Sequence, residues 1–146
     1  MTSPARLQLV QALYQMDMTA LEAEELISEF LEREDSSLNE TEQESFEALL
    51  RGVAGHLGDV DSKLEGALAE GWRAERIDRT MRAILRAGLY EILFQRLMPS
   101  DKIIQEYQEI AESFFSAKQT RLVPGILERI ARESGRQAAR ETGRHE

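Results

Sequence analysis

The chain has 146 residues, of which 42% are hydrophobic and 31% charged, enough apolar material for one domain or for two small halves that pack as one unit. Zero cysteines exclude a disulfide framework, a thiolate metal site and a cysteine nucleophile. The formal net charge is −9, but residues 1–71 carry 4 basic and 16 acidic side chains whereas residues 72–146 carry 14 and 11, so a surface for a polyanion requires a fold that segregates the halves.

The hydrophobic period is helical almost throughout. Ser3-Pro4 reads as a helix start, with the serine as cap and proline in the first turn, followed by Leu9, Leu13 and Met16 on one face. Thr19 to Glu22 has the form of a capping box that opens a second helix burying Leu26, Ile27, Phe30 and Leu31. Glu34 to Glu40 reads as a loop. A further capping box, Thr41 to Glu44, opens a third helix with Phe46, Leu49, Leu50, Val53 and Leu57 on one face. Gly58 interrupts the pattern, and Val60, Leu64 and Leu68 continue it, which leaves a bend or a new helix at Asp59 open. Gly71 suits the end of that segment.

Ile77, Met81, Ile84, Leu85, Gly88, Leu89 and Ile92 mark the most apolar helix. Beyond Pro99, a helix carries Ile103, Ile104, Tyr107, Ile110, Ala111 and Phe114. The last carries Leu122, Val123, Ile126, Leu127 and Ile130, with Pro124 as its expected first residue. No window alternates with period two, so the sequence predicts an all-α fold of about seven helices. After Glu133 no large apolar residue remains, and residues 134–146 read as a disordered or frayed arginine-containing tail beyond a folded unit of residues 1–133. Arg6 to Tyr14 and Arg82 to Tyr90 echo each other weakly, by duplication or by chance. No segment reaches the roughly 18 apolar residues of a membrane span, and Met1 to Arg6 has no signal-peptide character. The expectation is a cytoplasmic protein without a membrane partner.

Catalytic and metal-binding patterns are missing. His56 and His145 are the only histidines, neither in a metal-ligand spacing, so no metal or cofactor is expected. The helical carboxylates, such as Glu22, Glu25 and Glu29 or Glu106 and Glu109, read as solvated faces, the alternative being a catalytic pair set apart by burial. Gly52, Gly55 and Gly58 suit close helix packing better than ligand binding. An enzyme is not predicted.

Three features carry more. Arg6 and Tyr14 share the first helix, where an exposed tyrosine near a cation would offer a base-stacking platform, and a buried one would be core. Arg73, Arg76, Arg79, Arg82 and Arg86 recur at helical spacing, as a solvated face or a phosphate-binding stripe, partly neutralised by Glu75 and Asp78. Lys118, Arg121 and Leu122 lie at a helix entrance, where free backbone N–H groups favour an anion.

The segments ALYQMD, RAILRAGLYEILF and IIQEYQEIAESFFSAKQTRLVPGILERIA, in this order and spacing, resemble the NusB family of bacterial transcription antitermination factors from about Arg6 to Glu133. RAILRAGLYE also resembles the N-terminal domain of a ribosomal-RNA cytosine methyltransferase, but the chain has no room for that catalytic domain and is expected to stand alone. The resemblance implies two small packed helical bundles without catalytic activity. It implies pairing with NusE, a small-subunit ribosomal protein, and joint binding of single-stranded boxA RNA in rRNA leader transcripts within the RNA polymerase elongation complex. Family members occur as monomers or dimers, so a homodimer is a further partner to consider. Carried onto this sequence, the RNA surface comprises Arg6, Tyr14, Lys118 and Leu122, joined by the neighbouring Arg121. The partner surface falls at Met81 and Arg82.

The departures are specific. Arg6 is the only basic residue before Arg33, where the family usually has several arginines. Leu122-Val123-Pro124-Gly125 replaces the usual aromatic-Val-Asn-Gly. Met81 is apolar where the family often has an acid. These differences predict weak RNA binding alone and a heavy dependence on NusE. The rival expectations are a protein-interaction domain that has lost RNA binding, and an enzyme with a buried carboxylate.

Overall fold

The computed structural model describes residues 3–33, 38–68 and 76–143, the stretch 136–143 in backbone alone. Among them are the helices α1 (Pro4–Thr19), α2 (Ala23–Leu31), α3 (Glu40–Gly55), α4 (Leu57–Ala67), α5 (Arg79–Tyr90), α6 (Ser100–Glu112), the single turn α7 (Ala117–Thr120) and α8 (Leu122–Gly143). A π-helical segment, Glu91–Gln95, continues α5. No strand occurs among the described residues, as the absence of any period-two pattern predicts. No helix among them is long and apolar enough to cross a membrane.

The ends of the helices show which local signals win. Ser3 caps α1 as expected, its hydroxyl accepting from the Arg6 N–H at 3.3 Å. Neither threonine capping box forms. Thr19 is the last residue of α1, and Glu22 caps α2 in a box with Glu25. Asn39 caps α3 by accepting from the Glu42 N–H at 2.8 Å, two residues before Thr41. The interruption between α3 and α4 falls at His56 rather than at Asp59. Pro124 sits inside the first turn of α8, two residues after its start, where proline removes only an N–H that lacks a partner within the helix. That helix continues through residue 143, so the backbone of 134–143 is helical. Gly71, Arg73, Glu75, Arg144 and the loop residues 34–37 lie outside the described residues.

The α5 helix is apolar around much of its circumference because it is central. It packs against α1, α3, α4, α6 and α8, burying Met81, Ala83, Ile84, Leu85, Ala87, Gly88 and Leu89. The α1–α3 bundle and the α5–α8 bundle therefore share one continuous core. Two glycines permit the close approaches. A Cβ at Gly88 would lie 2.7 Å from a Leu127 methyl of α8, and a Cβ at Gly52 would collide with the Tyr90 ring. Gly55 and Gly58 face open space, so of the three spaced glycines only Gly52 has the packing role. Leu31 and Phe114, expected in the core, are exposed; Phe115 packs inward instead.

Gly52→Ala should destabilise the fold by about 1–3 kcal/mol through overpacking against Tyr90. Gly66→Ala, in open space within α4, should stabilise it by about 0.5–1 kcal/mol through helix propensity. Urea unfolding of both variants checks the contrast, and equal shifts would contradict the packing assignment.

Candidate nucleic-acid interface

Arg6 does not point to solvent. Its Nε and Nη2 donate to the two oxygens of Glu91 at 2.7 and 2.8 Å, and Nη1 lies 3.6 Å from Glu106. Glu91 is 3% exposed and also accepts from the Tyr107 hydroxyl at 2.5 Å. The Ser3 N–H donates to Glu106 at 3.3 Å, so the start of α1 is tied to both the π-segment and α6. Hydrogen bonding to Glu91 raises the Arg6 guanidinium above the ordinary arginine value against the opposing effect of burial. Burial, followed by the charge of Glu91 and the hydrogen bond to it, holds the Tyr107 hydroxyl well above the usual tyrosine range. Arg6 is thus the internal counter-ion of a buried carboxylate, with little capacity left for a phosphate. Glu91, the carboxylate an enzymatic reading would choose, is enclosed by these two donors rather than open to a cleft.

The arginine stripe is also largely absorbed. Arg86 holds Asp61 of α4 with two hydrogen bonds, at 2.7 and 2.9 Å. Arg79, Arg82 and Arg86 surround Asp17 of α1 at 3.8, 3.6 and 3.7 Å. Asp78 caps α5 by accepting from the N–H groups of Thr80 and Met81. The stripe therefore faces α1 and α4 rather than forming a continuous solvated face.

Tyr14 is 40% exposed, one turn before Met18 at 48%, which excludes the core alternative for Tyr14. The Arg79 guanidinium reaches the Met18 sulfur at 2.6 Å, bringing the end of α1 beside the start of α5. A groove of about 690 Å³ lies between α5 and the α6–α8 connection, lined by Arg76, Met81, Phe115, Lys118, Arg121 and Leu122 among others. Lys118 belongs to α7, which Ser116 and Gln119 hold through a capping box. Arg121 immediately precedes α8.

The structure thus gathers Lys118, Arg121, Leu122 and Met81 on one groove, and leaves Arg6 in the interior. Met81 is 3% exposed and forms part of the floor of that groove. Arg82, the other residue expected to face the partner, is turned towards Asp17 with its side chain 13% exposed. Phe115 and Met18 are not singled out by the sequence, whereas Arg76 belongs to the arginine stripe it marks. The adjacent phenylalanines gave the available signal, since two neighbours on a helix end cannot both face the core. Among the described residues, no cluster of three acidic or histidine side chains gathers at metal-binding spacing.

The NusB family model matches residues 3–132 of this chain. The transcription antitermination protein NusB of Caulobacter vibrioides is 39% identical over 138 residues, covering 90% of this chain and 93% of its own. That of Maricaulis maris is 40% identical over 134 residues, covering 88% and 84%. Among solved structures, NusB of T. maritima superposes with a TM-score of 0.80 at 30% identity, over 91% of this chain and 94% of that one. A chain from a complex of the antitermination factors NusB and NusE with dsRNA shares the fold, with a TM-score of 0.81 at 23% identity over 90% and 96%. The chain belongs to the NusB family, a family of transcription antitermination proteins.

Arg6→Ala should destabilise the protein by about 3–5 kcal/mol, because it leaves the Glu91 carboxylate buried and unpaired. Tyr107→Phe should cost about 1.5–3 kcal/mol for the lost hydrogen bond to a charged group. With its folded value raised, the Tyr107 hydroxyl stabilises the fold fully below the ordinary tyrosine value of about 10 and loses that contribution as pH rises above it. The alkaline loss of stability should therefore be smaller in Tyr107→Phe. Denaturant titrations at neutral pH and above pH ~10 test both statements, and wild-type-like stability of Arg6→Ala would contradict the ion-pair assignment.

Proposed function

We propose that this protein is a transcription antitermination factor that binds single-stranded boxA-type RNA of rRNA leader transcripts together with the ribosomal protein NusE, within the RNA polymerase elongation complex. The observations that carry the reading are the exposed ring of Tyr14 and the groove bordered by Lys118, Arg121 and Leu122. Unpaired bases need a π-face for stacking, and phosphates need cations. Tyr14 supplies the first, and Lys118, Arg121 and Arg76 supply the second. No catalytic group is required, and the reading is not an enzymatic one.

The partner's place follows from the same groove. Its floor is apolar, built from Ile77, Met81, Phe115 and Leu122, and a ribosomal-protein loop lying against it would add the contacts that RNA alone does not supply. Stacking on one ring contributes about 1–3 kcal/mol, whereas nanomolar binding needs about 12 kcal/mol. Arg6 contributes indirectly, by fixing the helix that presents Tyr14. A homodimer through this face would compete with RNA, and the cytoplasm is the compartment this role requires.

Fluorescence anisotropy with a boxA-type oligoribonucleotide tests the reading. NusE should tighten binding, Tyr14→Ala should cost about 1–3 kcal/mol, and Lys118→Ala should flatten the dependence of log affinity on log salt by about 0.7. If NusE changes nothing and both variants match wild type, the protein is a helical interaction domain without an RNA role.

A further inference from the structure

Asp17 lies three residues after Tyr14 on α1, and the proposed function leaves it unexplained. Three guanidiniums converge on its carboxylate, at 3.8 Å from Arg79, 3.6 Å from Arg82 and 3.7 Å from Arg86. These distances lie beyond hydrogen-bond length. Asp17 Oδ2 and Arg82 Nε are buried and have no hydrogen-bond partner among the described residues. Arg86 is spoken for, since Asp61 holds it with two short hydrogen bonds. Arg79 and Arg82 are held by charge alone around Asp17, apart from the contact of Arg79 with the Met18 sulfur. Three guanidiniums against the carboxylates of Asp17 and Asp61 leave a surplus of one positive charge in the cluster.

We propose that Arg79 and Arg82 form a phosphate-binding subsite for the nucleotide stacked on Tyr14, and that Asp17 competes with that phosphate and limits its affinity. The inference rests on the reading of Tyr14 as a stacking platform. Asp17 follows Tyr14 by three residues on α1, so the two side chains are neighbours on one helix face. A phosphate oxygen entering between Arg79 and Arg82 would accept the hydrogen bonds that the distant Asp17 carboxylate does not, in the charge-assisted geometry guanidiniums favour. Arg79 is about half exposed and provides the entrance; Arg82 provides the inner wall.

The test is boxA-type RNA binding by the full chain across a salt series, for Asp17→Asn, Arg79→Gln and Tyr14→Ala, with circular dichroism and thermal melting to verify folding. Asp17→Asn should tighten binding about three- to tenfold and steepen the salt dependence. Arg79→Gln, at a half-exposed position, should weaken binding and flatten the log–log salt slope by about 0.7. If Asp17→Asn and Arg79→Gln both bind as wild type while Tyr14→Ala binds more weakly, the subsite is wrong and the stacking platform stands. Should Asp17→Asn misfold, Arg79→Gln decides alone: an unchanged slope overturns the subsite. If Tyr14→Ala binds as wild type, the stacking reading falls and the subsite with it.

Discussion

A buried carboxylate must be paired or it destabilises the fold that holds it, and Glu91 imposes that requirement on the whole molecule. It lies where α5 widens into the π-segment, and it is satisfied by Arg6 from α1 and Tyr107 from α6. The three elements cannot move independently while those bonds exist. The first consequence concerns α1. The helix pinned at Arg6 presents Tyr14 about 12 Å further along and about 80° around its axis, which is how one helix gives an internal ion pair at its start and an exposed aromatic ring near its end.

The second consequence concerns charge. A chain with a net charge of −9 can present a local cationic surface only if its acids are placed elsewhere or already engaged. Asp17 and Asp61 engage the α5 arginines, and Glu24 engages Arg51 with two hydrogen bonds. Lys118, Arg121 and Arg76 have no ion-pair partner among the described residues, and all three border the groove. The electrostatic footprint is thus small and local. It suits binding that a second protein completes, and it explains how an acidic protein can belong to a family associated with RNA.

Local signals were legible in the sequence, and long-range pairings were not. Ser3-Pro4 identified the start of α1, and the spacing of Met81 to Ile92 identified the central helix. The threonine capping boxes failed because a better acceptor stood nearby in each case, Glu22 for α2 and Asn39 for α3. Arg6 was read as a phosphate contact because its partner lies 85 residues away. A signal for that partner did exist: an acid in the most apolar helix requires a cation, and the first seventy residues offer few. The arginine stripe has the same history, since helical spacing places Arg79, Arg82 and Arg86 on one side without revealing that Asp17 and Asp61 occupy it. The family resemblance located Tyr14 and the 118–122 segment, but only the tertiary structure brings the latter together with Met81 and Phe115 on one groove.

The most direct measurement is photo-crosslinking of boxA-type RNA to the protein in the presence of NusE, with the adducts mapped to residues by mass spectrometry. Crosslinks at Tyr14 and within Ser116–Leu122, with none at Arg6, are the predicted result. Crosslinks confined to the His56, Tyr90 and Phe94 rings, which pack against one another, would contradict it.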